Sequence, residues 1–202
     1  CTTAALQTQR GSKNIALEDA SAPDAETHEE MSKTVEEERI LISVSNHETV
    51  EDLVNLSTMI KTQSTTRGLY ALNIINSNHS TSSDDKNANK ILDIATDVAA
   101  ATDNSVQRLI RYDVNIVNGI TNAIKENQIT DLILGIYKKK GISQSFIGNL
   151  NEGILAKSNV TTLIYKSAQP IATIKNHRIF VPNRAETENG FAAWLLKVWN
   201  IA

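Results

Sequence analysis

Between Arg39 and Lys166 the chain alternates short aliphatic runs with stretches of helical periodicity, and that alternation limits the fold more than any other feature. The segments that read as strands are Ile40–Val44, Leu69–Ile75, Ser105–Tyr112, Asp131–Gly135 and Val160–Tyr165. Each is short and bounded by polar or turn-forming residues, as buried strands are. Between them lie amphipathic segments. Glu48–Lys61 sets Val50, Leu53, Val54, Ser57 and Ile60 on one face, and Lys90–Thr102 does the same with Ile91, Ile94, Ala95 and Val98. Ile116–Asn127 turns Ile116, Ile120, Ala123 and Ile124 inward, and a short helix is expected at Leu150–Lys157. The order β-α-β-α-β-α-β-α-β predicts an α/β fold: a five-stranded parallel sheet with helices on both faces.

In such a sheet, ligands bind beyond the carboxyl ends of the strands. The loops that matter are then Ser45-Asn46-His47, Asn76-Ser77-Asn78, Arg111–Asn115 and Gly135–Asn149. The polar stretch Asn76–Asn87 reads as the longest loop, with Asp84-Asp85 solvated within it.

Composition narrows the function. Aromatic residues make up only 4%, so the core is aliphatic and there is no stacking platform for single-stranded nucleic acid. The net charge of −3 gives no basic field to attract DNA or RNA. The acids are concentrated early: residues 1–60 hold twelve of the 23 acids and four of the 20 Lys and Arg. That asymmetry predicts an acidic linker over 1–38 followed by a domain over 39–166. Cys1 is the single cysteine, so no disulfide forms within the chain, which fits a reducing compartment. No run of about 18 apolar residues is present. The chain starts with Cys and ends inside an apparent helix, which reads as a piece of a longer protein.

Beyond Tyr165 the pattern restarts. Arg178-Ile179-Phe180-Val181 parallels Arg39-Ile40-Leu41-Ile42, and Thr187–Ile201 has the spacing of another first helix, with Phe191, Trp194, Leu195 and Val198 aligned. Residues 167–202 are expected to be a linker and the first strand and helix of a second, truncated copy. The alternative is a terminal strand and helix that complete one domain. The apolar face of the last helix predicts self-association as a homodimer.

No catalytic set is visible, so the chain is expected not to be an enzyme. His28, His47, His79 and His177 sit in separate polar contexts without ligand spacing. Cys1 has no base partner, and Glu36-Glu37-Glu38 reads as a solvated helix face. No metal is expected.

The most informative segment is Asp131–Lys166, in which a strand ends at Gly135, a loop contains Lys138-Lys139-Lys140-Gly141, and a helix starts near Gly148-Asn149. Helix N-termini offer amide donors to phosphate. This segment resembles the end of universal stress protein domains, in which strand four runs into a G-x2-G-x9-G-[ST] loop that holds nucleotide phosphates. The resemblance implies ligand positions at Ser45, Asn46, Gly135, Lys138, Gly141, Gly148 and Asn149. Gly135 and Gly148 match the first and last motif glycines. Lys138 replaces the second, with Gly141 nearby, Asn149 replaces Ser/Thr, and Ser45 stands where the family has an Asp. An adenine nucleotide is the ligand class implied, the departures weaken it, and no cofactor is required.

The start of the chain, Thr2-Thr3-Ala4 through Gly11–Glu18, resembles the exit from the last transmembrane helix of bacterial Na+/H+ and K+/H+ antiporters, some of which carry universal-stress-like domains after an acidic linker. The resemblance implies a non-catalytic regulatory domain at the cytoplasmic face of the bacterial inner membrane, with the antiporter domain upstream in the same chain as its partner. The competing reading is a free-standing nucleotide-binding universal stress protein.

Overall fold

The computed structural model describes residues 5–7, 38–62, 68–78, 80–136, 144–188 and 190–201. The strands are β1 (Ala5–Gln7), β2 (Ile40–Ser43), β3 (Leu69–Asn76), β4 (Val106–Asp113), β5 (Asp131–Gly135) and β6 (Thr161–Tyr165). The helices are α1 (His47–Ile60), α2 (Ser82–Ala100), α3 (Ile116–Glu126), α4 (Gln144–Lys157) and α5 (Phe191–Ile201).

The sheet order is β1-β6-β5-β2-β3-β4. From β6 to β4 all neighbours are parallel, which gives the expected five-stranded parallel sheet. Side-chain alternation along the strands splits the core in two. Ile40, Ile42 and Ile133 pack with Val50, Leu53, Ile91 and Ala95 of α1 and α2. On the other face Leu41, Leu132 and Leu134 pack with Ile120 and Ile124 of α3 and Ile154 of α4. β2 and β5, at the centre of the sheet, are near-continuous aliphatic runs because both their faces are covered, whereas the edge strand β4 is polar and has no buried residue. Among the inward residues expected on α3, Ile116 departs: it is 43% exposed in the first turn, beyond the reach of the sheet.

Several boundaries shift. Ala5–Gln7, expected in the linker, pairs antiparallel with β6 and occupies the hydrogen-bonding edge of that strand. α2 begins eight residues before the expected Lys90. Thr81 and Asp84 form a capping box, and the Thr81 amide donates to Asp84 Oδ2 at 2.8 Å. Asp84 and Asp85 therefore lie in a helical first turn and not in a loop.

At the C-terminal end, Arg178–Val181 has no strand partner among the described residues, and Ile179, Phe180 and Val181 are 49%, 90% and 49% exposed. Thr187 closes a single 3-10 turn, and α5 starts only at Phe191. α5 packs against α1, with Phe191, Trp194, Val198 and Ile201 half-buried and Lys197 buried. Phe191 and Trp194 meet edge to face, with centroids 5.1 Å apart.

Candidate functional site at the carboxyl edge of the sheet

The chain runs from β2 outward to β3 and β4, then crosses back to place β5 and β6 on the other side of β2. The strand order thus reverses between β2 and β5. In open parallel sheets a crevice for ligands lies at that point, beyond the carboxyl ends. Ser43 is in register with Leu134, so Ser45-Asn46 and Gly135-Ile136 form the two lips of the crevice. Asn73 of β3 supports one lip: its buried Nδ2 donates to the Val44 carbonyl at 2.7 Å.

The structure brings together only part of the residue set implied by the sequence. Ser45 is exposed at the mouth. Asn46 is the N-cap of α1, and its Oδ1 accepts the Glu48 amide at 3.0 Å. Gly135 is a packing glycine, because a Cβ there would lie 2.8 Å from Leu53 Cδ1. Lys138 and Gly141 lie outside the described residues.

Gly148 and Asn149 are placed differently from the expectation. α4 begins at Gln144, so both lie in its second turn and Asn149 is exposed. Only the first four amides of a helix lack internal partners, so the amides of 148 and 149 are not the free ones. Glycine had suggested a helix start, but a helix interior tolerates it at a cost of about 1 kcal/mol.

The other helix starts on this edge are already neutralised. Glu48 sits in the first turn of α1, and Asp84 and Asp85 in that of α2. Hydrogen bonds from the Thr81 hydroxyl and amide hold Asp84 below the usual carboxylate range. Asn115 caps α3, accepting the Val117 and Asn118 amides at 2.9 and 3.3 Å. The positive helix ends that would hold a phosphate thus face the chain's own carboxylates on α1 and α2 and its own amide oxygen on α3.

Sequence reasoning missed a cleft of 470 Å³ on the α1 side of this edge, lined by Glu48, Thr49, Asp52, Ile136, Lys166 and Ser167 among others. Asp52 organises it. Its carboxylate accepts the Ser167 hydroxyl at 2.6 Å and the Ile171 amide at 3.2 Å, tying the segment after β6 to α1. The local signal was the polar stripe Glu48, Glu51, Asp52, whose three- and four-residue spacing puts the carboxylates on one helix face. Among the described residues no cluster of three His, Cys, Asp or Glu side chains is arranged to hold a metal. No described helix is long and apolar enough to cross a membrane.

No family model matches the chain, and no curated protein matches it in sequence. Solved structures do resemble it. The universal stress protein UspA from Lactobacillus plantarum is 11% identical with a TM-score of 0.51, over 65% of this chain and 99% of that one. The universal stress protein from Archaeoglobus fulgidus is 13% identical with a TM-score of 0.49, over 64% and 93%. A protein of the universal stress protein family from Burkholderia pseudomallei is 10% identical with a TM-score of 0.47, over 65% and 97%. The fold is thus that of the universal stress proteins.

Proposed function

We propose that the chain is a non-catalytic regulatory domain of a bacterial monovalent cation:proton antiporter, working at the cytoplasmic face of the inner membrane. One observation carries the regulatory reading. The domain keeps a universal-stress architecture, yet on the carboxyl edge of the sheet the starts of α1, α2 and α3 are filled by Glu48, by Asp84 and Asp85, and by Asn115. That arrangement suits a module that transmits a signal through association or a non-nucleotide ligand better than one that turns over ATP. The resemblance of Thr2–Glu18 to the exit of an antiporter's last membrane helix supports the partner, a membrane domain upstream in the same chain.

Self-association as a homodimer is part of the proposal. The outward side of α5 carries Leu195, Leu196 and Trp199, exposed to 39%, 56% and 78%, while its other side rests on the domain. A helix that is apolar on both sides suits a position between two surfaces. We further propose that residues 167–202 open a second copy of the domain. Arg178–Val181, exposed and without a strand partner among the described residues, and the following α5 have the order of a first strand and helix.

The test is cation-dependent proton exchange in everted membrane vesicles containing the parent chain, with and without residues 39–166. Exchange in both, with altered pH or ion dependence in the deletion, supports the reading. No exchange by the parent chain, or identical exchange profiles, rejects it.

A further inference from the structure

Three charged side chains meet at the amino edge of the sheet, opposite the crevice. Glu38 precedes β2, Asp131 opens β5, and Lys197 lies on α5. Lys197 Nζ donates to Glu38 Oε1 at 2.6 Å and lies 3.1 Å from Asp131 Oδ1. The three side chains are 14%, 6% and 11% exposed, for Glu38, Asp131 and Lys197 in turn. Each carboxylate has a further partner. Glu38 Oε2 accepts the Thr62 amide at 2.7 Å, and Asp131 Oδ2 accepts the Thr130 hydroxyl at 2.7 Å. Glu38, expected on a solvated acidic face, is instead largely covered, with Lys197 of α5 against it.

The cluster holds two carboxylates against one ammonium. Burial pushes the Asp131 carboxyl up, against the pull of Lys197. Burial alone would lower the Lys197 ammonium, but the two carboxylates outweigh it and hold it above its ordinary value. Without the lysine, two buried acids would be left uncompensated, which is far more costly than never burying them. The apolar contribution of α5 is small by comparison: its apolar docking residues are only half-buried, and of them only Ile201 packs against a core cluster, at its margin.

We propose that Glu38, Asp131 and Lys197 form a latch that holds α5 by charge and couples its docking, through Glu38, to the Glu38–Thr62 contact between the start of β2 and the end of α1. This inference does not depend on the antiporter reading. Release requires no unfolding of the sheet, because no buried residue of either core cluster lies on α5 and only Ile201 of that helix touches one of them, at its margin. It frees the apolar residues of α5 for another surface.

Amide exchange measured by NMR on the whole 202-residue chain tests this. Lys197→Met is expected to speed exchange of the α5 amides and of the Thr62 amide at least tenfold, and to leave the β2 and β5 amides unchanged. The triple variant Glu38→Gln, Asp131→Asn, Lys197→Met removes all three charges and is expected to restore α5 protection. Unchanged α5 exchange in Lys197→Met, or failure of the triple variant to restore it, overturns the charge latch. Loss of β5 protection together with α5 overturns it as well, since α5 would then be part of one cooperative core. Release of α5 with Thr62 unaffected overturns the coupling through Glu38.

Discussion

Ile133→Ala is expected to destabilise the domain by about 4 kcal/mol, within the usual range for truncating a buried aliphatic side chain to alanine. Ile133 is fully buried in β5, which is hydrogen-bonded to β2 on one side and β6 on the other. Its side chain faces the cluster formed with α1 and α2. The loss has two parts, the transfer energy of the removed carbons and the cavity left between a rigid sheet and its helices. A central parallel strand held on both edges has little freedom to collapse into that cavity. Domains of this size are stable by only about 5–15 kcal/mol, so the change should be plain in urea unfolding. A loss below about 1 kcal/mol would mean that the site is not the close-packed centre described here.

Gly68→Val is expected to cost about 3 kcal/mol, for a backbone reason. Gly68 enters β3 at φ +156, where side-chain-bearing residues are rare. A Cβ there would collide with the Glu38 carbonyl oxygen, and a carbonyl cannot rotate aside as a side chain can. The same turn supplies the Gly68 carbonyl that accepts the Ile40 amide at 2.6 Å, the bond that starts the β2–β3 pairing. The variant should therefore lose thermal stability and also loosen Glu38. A stability unchanged from the parent chain would show that the approach of Gly68 to Glu38 is not a fixed feature of the fold.

The parallel sheet was legible because its central strands β2 and β5 are aliphatic on both faces and its helices show clear 3.6-residue periodicity. The helix face Val50, Leu53, Val54, Ser57 and Ile60 is buried as a unit. Boundaries failed where the local signal was polar. The Ser-rich start of α2 hid a capping box in Thr81-Ser82-Ser83-Asp84, which a search for that pattern would have found. In α4 a glycine at 148 suggested a start that lies at Gln144.

The candidate site was half legible. The edge of the sheet and the lips at Ser45, Asn46 and Gly135 follow from topology. The carboxylates that occupy the helix starts were visible as residues, but their placement required the true start of α2. The latch had no local signal at all, because Lys197 and Glu38 are 159 residues apart. A lysine on an apolar helix face reads as a solvated interruption until its two carboxylate partners are in place.

The proposed regulatory role is tested most directly by nucleotide binding. In the site that the resemblance implies, Ser45 offers no carboxylate and Lys138 replaces a glycine, and on the same edge of the sheet Glu48, Asp84 and Asp85 occupy the first turns of α1 and α2. Each lost hydrogen bond to a charged group costs about 1.5–3 kcal/mol. Losing two weakens binding about a hundredfold or more, since about 1.4 kcal/mol is a factor of ten. Isothermal titration calorimetry of the purified chain with ATP measures this directly. The account predicts no binding, or a dissociation constant weaker than about 100 μM on that scale. One-to-one binding at low-micromolar affinity would contradict it.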